Sequence, residues 1–154
     1  MTKGAAPSPA HPALDLAIEI LADLVAFPSV SLQPNDAIVS YIETRLRDLG
    51  MRCMRDAHED GQRFNLLASA GPQGPGGVLL SGHMDVVPAS PDGWTGDPFN
   101  MRRDGGRLHG RGAVDMKGFI AIVLASLPEI MAQADSLSMP LHVALSFEDR
   151  KSVV

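Results

Sequence analysis

Two short segments place residues suited to metal chemistry directly beside apolar stretches. The first is Val78-Leu79-Leu80-Ser81-Gly82-His83-Met84-Asp85-Val86-Val87-Pro88. If the apolar run is a strand that continues through His83, side chains two apart share a face, so His83 and Asp85 point to the same side. An imidazole so placed can bind a divalent metal through one ring nitrogen, while the neighbouring carboxylate accepts the proton on the other and fixes the tautomer. Taken alone, a histidine near a strand end is more often a satisfied residue that binds nothing. The second segment is Leu108-His109-Gly110-Arg111-Gly112-Ala113-Val114-Asp115-Met116-Lys117-Gly118. Here Asp115 either caps the helix that follows, stabilised by its dipole and free amides, or bridges two metal ions from a tight bend between Gly112 and Gly118. The metal alternative gains weight for each segment because both occur in one chain.

Positioning these residues requires a layered frame, and the apolar spacing supplies one. Leu14, Ile18, Leu21 and Val25 recur at spacings of three and four and predict a surface helix, ended before Pro28 in Phe27-Pro28-Ser29-Val30-Ser31. A loop follows. Asn35 or Asp36 caps a second helix with Ile38, Ile42, Leu46 and Leu49 inward, and Gly50 stands at its left-handed carboxyl cap. Extended pieces are then predicted at Met51 to Arg55, Phe64 to Ala70 and Val78 to Ser81, as strands of one sheet. Met116 to Met131 is apolar nearly all round and predicts a buried helix, kinked or cut short at Pro128. A last strand runs from Leu141 to Phe147. The order is α/β, a mixed sheet with helices packed on it, and ligands in such folds gather at the carboxyl ends of strands.

Three stretches now read together: Ser81-Gly82-His83-Met84-Asp85-Val86-Val87-Pro88, Gly93-Trp94-Thr95-Gly96-Asp97-Pro98-Phe99, and Gly110-Arg111-Gly112-Ala113-Val114-Asp115-Met116-Lys117-Gly118. In this order they resemble the M20 family of zinc-dependent peptidases and deacylases, over almost the whole chain. Phe119-Ile120-Ala121 and Pro140-Leu141-His142-Val143-Ala144-Leu145-Ser146 are most similar to the family's deacetylases of acetylated amino acids, with desuccinylases next. The resemblance implies the amino-terminal part of a zinc-exopeptidase-like catalytic domain, holding two zinc ions, with cobalt as a substitute. It implies that His83 binds one zinc, that Asp85 is a catalytic residue orienting His83, that Asp115 bridges both ions, and that a non-proline cis peptide lies next to Asp115. A small N-acyl amino acid is the implied substrate, and a homodimer the implied assembly of the complete enzyme.

The same resemblance places a Glu-Glu pair, a general base followed by a zinc ligand, shortly after the strand at Leu141 to Phe147. This sequence reads Glu148-Asp149-Arg150 there. Asp149 is one methylene shorter than the base it would replace, and the Arg150 guanidinium repels a cation instead of binding it. Residues 149–154 are therefore expected to be a non-native tail. The family's later zinc ligands and its inserted dimerisation domain are expected to lie outside the chain, which predicts weak zinc binding and little catalysis by these residues alone. Besides a deacetylase, a desuccinylase or general aminoacylase and a non-catalytic module with the same fold remain as alternatives.

Composition limits the field further. The 154 residues carry 13 Lys+Arg against 18 Asp+Glu, a net charge of -5, and no basic cluster, so neither nucleic acid nor an anionic membrane is an expected partner. The longest apolar run, Phe119 to Ala125, is too short to span a bilayer. Cys53 is the single cysteine, which makes a cytoplasmic setting the default. Trp94 and Phe99 either line a substrate entrance or, more often for such loops, pin the loop to the body. Lys117 either holds a carboxylate or is a solvated charge. His109 and His142 are expected to be structural, and Cys53 a small packed side chain.

Overall fold

The computed structural model describes residues 12–148. In chain order it contains α1 (Pro12–Ala26), α2 (Asp36–Asp48), β1 (Arg52–Ala57), β2 (Phe64–Ala70), β3 (Val78–His83), β4 (Arg102–Asp104), β5 (Arg107–His109), α3 (Lys117–Met131) and β6 (Leu141–Ser146). The tail at 149–154 lies outside the described residues, as do Asp149 and Arg150.

One four-stranded sheet has the order β1-β2-β6-β3. β1, β2 and β6 run antiparallel, and β3 runs parallel to β6, so the sheet is mixed as expected. A parallel pair needs a long crossover, and α3 lies within it. Alternation along β2 and β6 buries Leu66, Ala68, Ala70, Leu141, Val143 and Leu145 on one face. The helices join that same core. The other face carries Met54 and Leu79, each 58% exposed.

The helices differ from expectation in which side they bury. α1 turns Ala17, Ile20, Leu21, Leu24 and Val25 inward and leaves Leu14 largely exposed. Two apolar stripes overlap at Leu21 and Val25, and packing against α3 selects the one shifted by a residue. α2 buries Ile38, Val39, Ile42 and Leu46 as the spacing predicts, with Leu49 only half-buried. Gly50, at φ 81°, donates to the Arg47 carbonyl at 2.8 Å and ends the helix. Asn35 holds the amino-terminal cap position, yet its side chain makes no cap bond. It pairs instead with both backbone groups of Phe64, at 2.9 and 3.0 Å, and so ties α2 to β2. Pro128 does not end α3: the helix continues to Met131, and the Ala132 amide donates to the Pro128 carbonyl at 3.0 Å.

Candidate metal centre

His83 is the last residue of β3 and lies opposite Ser146, the last residue of β6. The site therefore sits at the carboxyl ends of two parallel strands, where an open α/β sheet leaves a crevice. Beyond His83 the chain is laced to the segment that follows α1. The Met84 carbonyl accepts the Ser29 hydroxyl at 2.7 Å, the Val86 amide donates to the Ser29 carbonyl at 2.9 Å, and the Val86 carbonyl accepts the Ser31 amide at 3.0 Å.

Asp85 lies inside this lacing, its side chain 10% exposed. One carboxylate oxygen is 3.0 Å from His83 Nδ1, and the other accepts the Ser31 hydroxyl at 2.5 Å. The opposite ring nitrogen, Nε2, lies 3.1 Å from Asp115 Oδ1. The expected pair thus meets across 32 positions of sequence, with Asp85 against the other ring nitrogen.

The donor chemistry fits a cation. A carboxylate accepts only, so the proton shared between Asp85 and Nδ1 belongs to the ring, and Nε2 of the neutral imidazole is then an acceptor facing another acceptor, Asp115. Two acceptors facing each other at that distance need a positive partner, either a second ring proton or a metal ion. Asp115 is open to receive one, its side chain 83% exposed. Among the described residues, no group of three or more His, Cys, Asp or Glu is placed to hold a metal.

The capping alternative for Asp115 does not hold. α3 begins at Lys117, Met116 occupies the cap position, and no side chain caps the helix. The turn that carries Asp115 is instead set by close backbone approach. Gly112 has φ 80°, and a Cβ there would lie 2.5 Å from Val86 Cγ1; one on Gly118 would lie 2.4 Å from the Ala113 carbonyl oxygen. Both flanking glycines are thus required by the bend. The Asp115–Met116 peptide is cis, as the resemblance implies.

Lys117 corrects its expectation: it neither holds a carboxylate nor lies in solvent. It is fully buried and donates to the Phe27 carbonyl at 2.6 Å. Burial pulls its pKa down to about 8. The apolar stem fills space in the interior while the ammonium reaches the Phe27 carbonyl past the end of α1, which also accepts the Ser29 amide at 2.8 Å. Ser31 and Lys117 are the supporting residues that spacing alone did not reveal.

A cavity of about 490 Å³ is lined by Ser31, His83, Asp85, Arg111, Gly112 and Asp115 among others. Arg111 places its guanidinium over the half-buried Trp94 ring at 5.0 Å, which makes Trp94 a loop anchor. His142 bonds Ser69 across the sheet at 2.8 Å, and His109 lies half-buried in β5, both structural as expected. Cys53 is half-buried against the core, and burial pushes its thiol pKa up. At the end of β6, Glu148 lies 3.6 Å from Arg63, which also stacks on Phe147 at 5.1 Å.

An imidazole backed by one carboxylate and faced by another, at strand ends of a mixed sheet, is a donor set suited to a divalent cation. The profile of Peptidase family M20/M25/M40 matches residues 79–148. An acetylornithine deacetylase of Klebsiella pneumoniae is 36% identical over 143 residues, 88% of this chain and 37% of that protein. Human carnosine dipeptidase 1 superposes with a TM-score of 0.73 at 27% identity, over 91% of this chain and 33% of that one. An M20 family metallo-carboxypeptidase from Sulfolobus solfataricus shares the fold, with a TM-score of 0.74 at 21% identity, over 87% and 31% respectively. The chain is thus similar to the M20 peptidase family, a family of hydrolases. It spans about a third of the length of these relatives.

Proposed function

We propose that the protein to which this chain belongs hydrolyses the amide bond of an N-acetylated amino acid, N-acetylornithine first, giving ornithine and acetate in arginine biosynthesis. The observation that carries this reading is the meeting of His83 Nε2 and Asp115 Oδ1 at 3.1 Å with Asp85 behind the ring. The 36% identity to an acetylornithine deacetylase supports the choice of acyl group. We place the complete enzyme in the cytoplasm as a homodimer acting on a small soluble substrate.

In this proposal His83 and Asp115 hold zinc, with cobalt as a substitute. A metal held there would supply Lewis acidity for the scissile carbonyl and would lower the pKa of a water toward neutrality. Asp85 keeps the Nδ1 proton in place and so presents the Nε2 lone pair outward. Zinc takes about four ligands in a closed shell, so the remaining ones come from parts of the protein beyond this chain. These 154 residues are accordingly expected to bind zinc weakly and to catalyse little.

The test uses the intact reading frame continued past Glu148, assayed with N-acetyl and N-succinyl amino acids in added zinc or cobalt. Faster release of acetate than of succinate supports the proposal. Preference for succinyl substrates replaces it with a desuccinylase, and no hydrolysis of either, with the expected ligands present, favours a non-catalytic module.

A further inference from the structure

Ser31 comes from a stretch that looks like plain loop in the sequence, yet it touches the candidate site 54 residues away. Its backbone is fixed by the pairing of Val30 with Val86 and by the Ser31 amide bond to the Val86 carbonyl. Its hydroxyl is therefore delivered beside two acceptors, the Val86 carbonyl at 3.3 Å and the nearer Asp85 carboxylate. There it donates to Asp85 Oδ2 at 2.5 Å, within the range of a charge-assisted O–H···O⁻ bond, while Asp85 Oδ1 is taken by His83 Nδ1 at 3.0 Å.

The division of the two oxygens has a consequence for the ring. The terminal torsion of an aspartate is soft and broad, so a carboxylate held by one oxygen can turn and meet Nδ1 out of plane. Held by both, its plane is set, and with it the orientation of the imidazole, whose Nδ1 also lies 3.2 Å from the Asp85 carbonyl. The second anchor of this segment is Lys117, which grips the Phe27 carbonyl at 2.6 Å and stands two residues after Asp115. Residues 27–31 thus contact both halves of the site.

We propose that Ser31 is a positioning residue: through Asp85 it fixes the His83 ring so that Nε2 faces Asp115. The proposal rests on the metal reading above only for the purpose of that lock, not for its existence.

The experiment compares the full 154-residue chain with Ser31→Ala and Ser31→Thr, each shown by circular dichroism to be folded. The ¹⁵N shifts of the His83 ring, assigned by their loss in His83→Ala, report the hydrogen bonding of Nδ1 without any metal, and calorimetric titration reports the zinc Kd. Ser31→Ala is expected to shift the Nδ1 resonance as the carboxylate loosens against the ring and to weaken zinc about tenfold, the usual effect of losing a partner behind a ligand. Ser31→Thr, which keeps the hydroxyl, restores both. Ring shifts in Ser31→Ala that match the unaltered chain overturn the proposal. If zinc binds the unaltered chain no better than His83→Ala, as a site with only part of its ligands allows, the ring shifts alone decide the role of Ser31. Should Ser31→Ala not fold, Ser31→Cys, with a weaker donor of similar size, gives the same comparison.

Discussion

Lys117 and Phe27 are joined by one hydrogen bond, the buried ammonium donating to the backbone carbonyl at 2.6 Å across 90 positions of sequence. The first residue of α3 thereby holds the end of α1 and the segment that leads to Ser31. A charged group inside an apolar core is costly unless it is paired, and here its partner is a neutral carbonyl. Part of the cost of burial remains, and it fixes how stability responds to pH.

The folded chain releases the Lys117 proton at about 8, whereas an unperturbed lysine does so at 10.5. Between these values the unfolded state binds more protons, so this group makes stability rise with pH across the interval. Below about 8 the penalty is fully present. At roughly 1.4 kcal/mol per pKa unit, the relief by pH 10.5 is up to about 3 kcal/mol. Cys53, with its thiol pKa raised by burial, acts in the opposite direction over part of the range. Urea unfolding of the chain and of Lys117→Met at pH 7.5 and 10.5 separates the two, because the methionine variant keeps the cysteine and loses the lysine contribution. An equal pH response in both would contradict the assignment.

Asp85→Asn tests the orienting carboxylate. The amide keeps the size of the side chain, but it can present either a donor or an acceptor to His83 Nδ1, so the ring loses its charged partner and keeps only the backbone carbonyl of residue 85, 3.2 Å away, as a fixed acceptor. Zinc affinity is expected to fall 10- to 100-fold, roughly the cost of removing such a partner elsewhere. Calorimetry measures it, and an unchanged Kd would show that Asp85 does not orient a ligand.

The sequence made some of this plain and concealed the rest for identifiable reasons. β2 was readable to the residue because alternation and flanking glycines agree over Phe64–Ala70. The pairing of His83 with Asp85 followed from strand periodicity, since it is local. The hairpin of β4 and β5 was not foreseen, although Gly105 and Gly106 both take positive φ as a tight turn requires. Its strands contain Arg102, Arg103, Asp104 and Arg107, and so show no apolar alternation. Lys117 and Ser31 were missed because their partners, Phe27 and Asp85, are set by tertiary packing that no spacing rule encodes. The stripe shift in α1 has the same origin.

Packing makes α3 unequal around its circumference despite its nearly uniform apolar sequence. Leu127 is fully buried, while Ile122 is 60% exposed. Leu127→Ala is expected to cost about 2–5 kcal/mol through lost contacts and a residual cavity. Ile122→Ala should stay within about 0.5 kcal/mol, as exposed substitutions usually do. Chemical denaturation of the two variants checks the difference, and similar losses would mean that α3 does not face α1 as described.

The bend at residues 111–116 offers the sharpest link between backbone and site. An added Cβ on Gly118 meets the Ala113 carbonyl oxygen at 2.4 Å, a backbone atom that no rotamer change can move aside. Gly118→Ala must therefore open the turn that carries Asp115, and overpacking of this kind costs about 1–3 kcal/mol. Gly112→Ala combines contact with Val86 Cγ1 at 2.5 Å and a φ of 80°, the latter adding roughly 1–2 kcal/mol. Gly61→Ala is the control, because φ is 66° there but nothing lies within 4 Å, leaving only the conformational cost. Thermal unfolding should order the variants with Gly61→Ala the mildest. Zinc titration should separate them further: Gly118→Ala and Gly112→Ala lose affinity because Asp115 no longer meets His83, and Gly61→Ala retains it. If Gly118→Ala loses stability but binds zinc like the unaltered chain, the bend is a packing feature and does not deliver Asp115 to the metal.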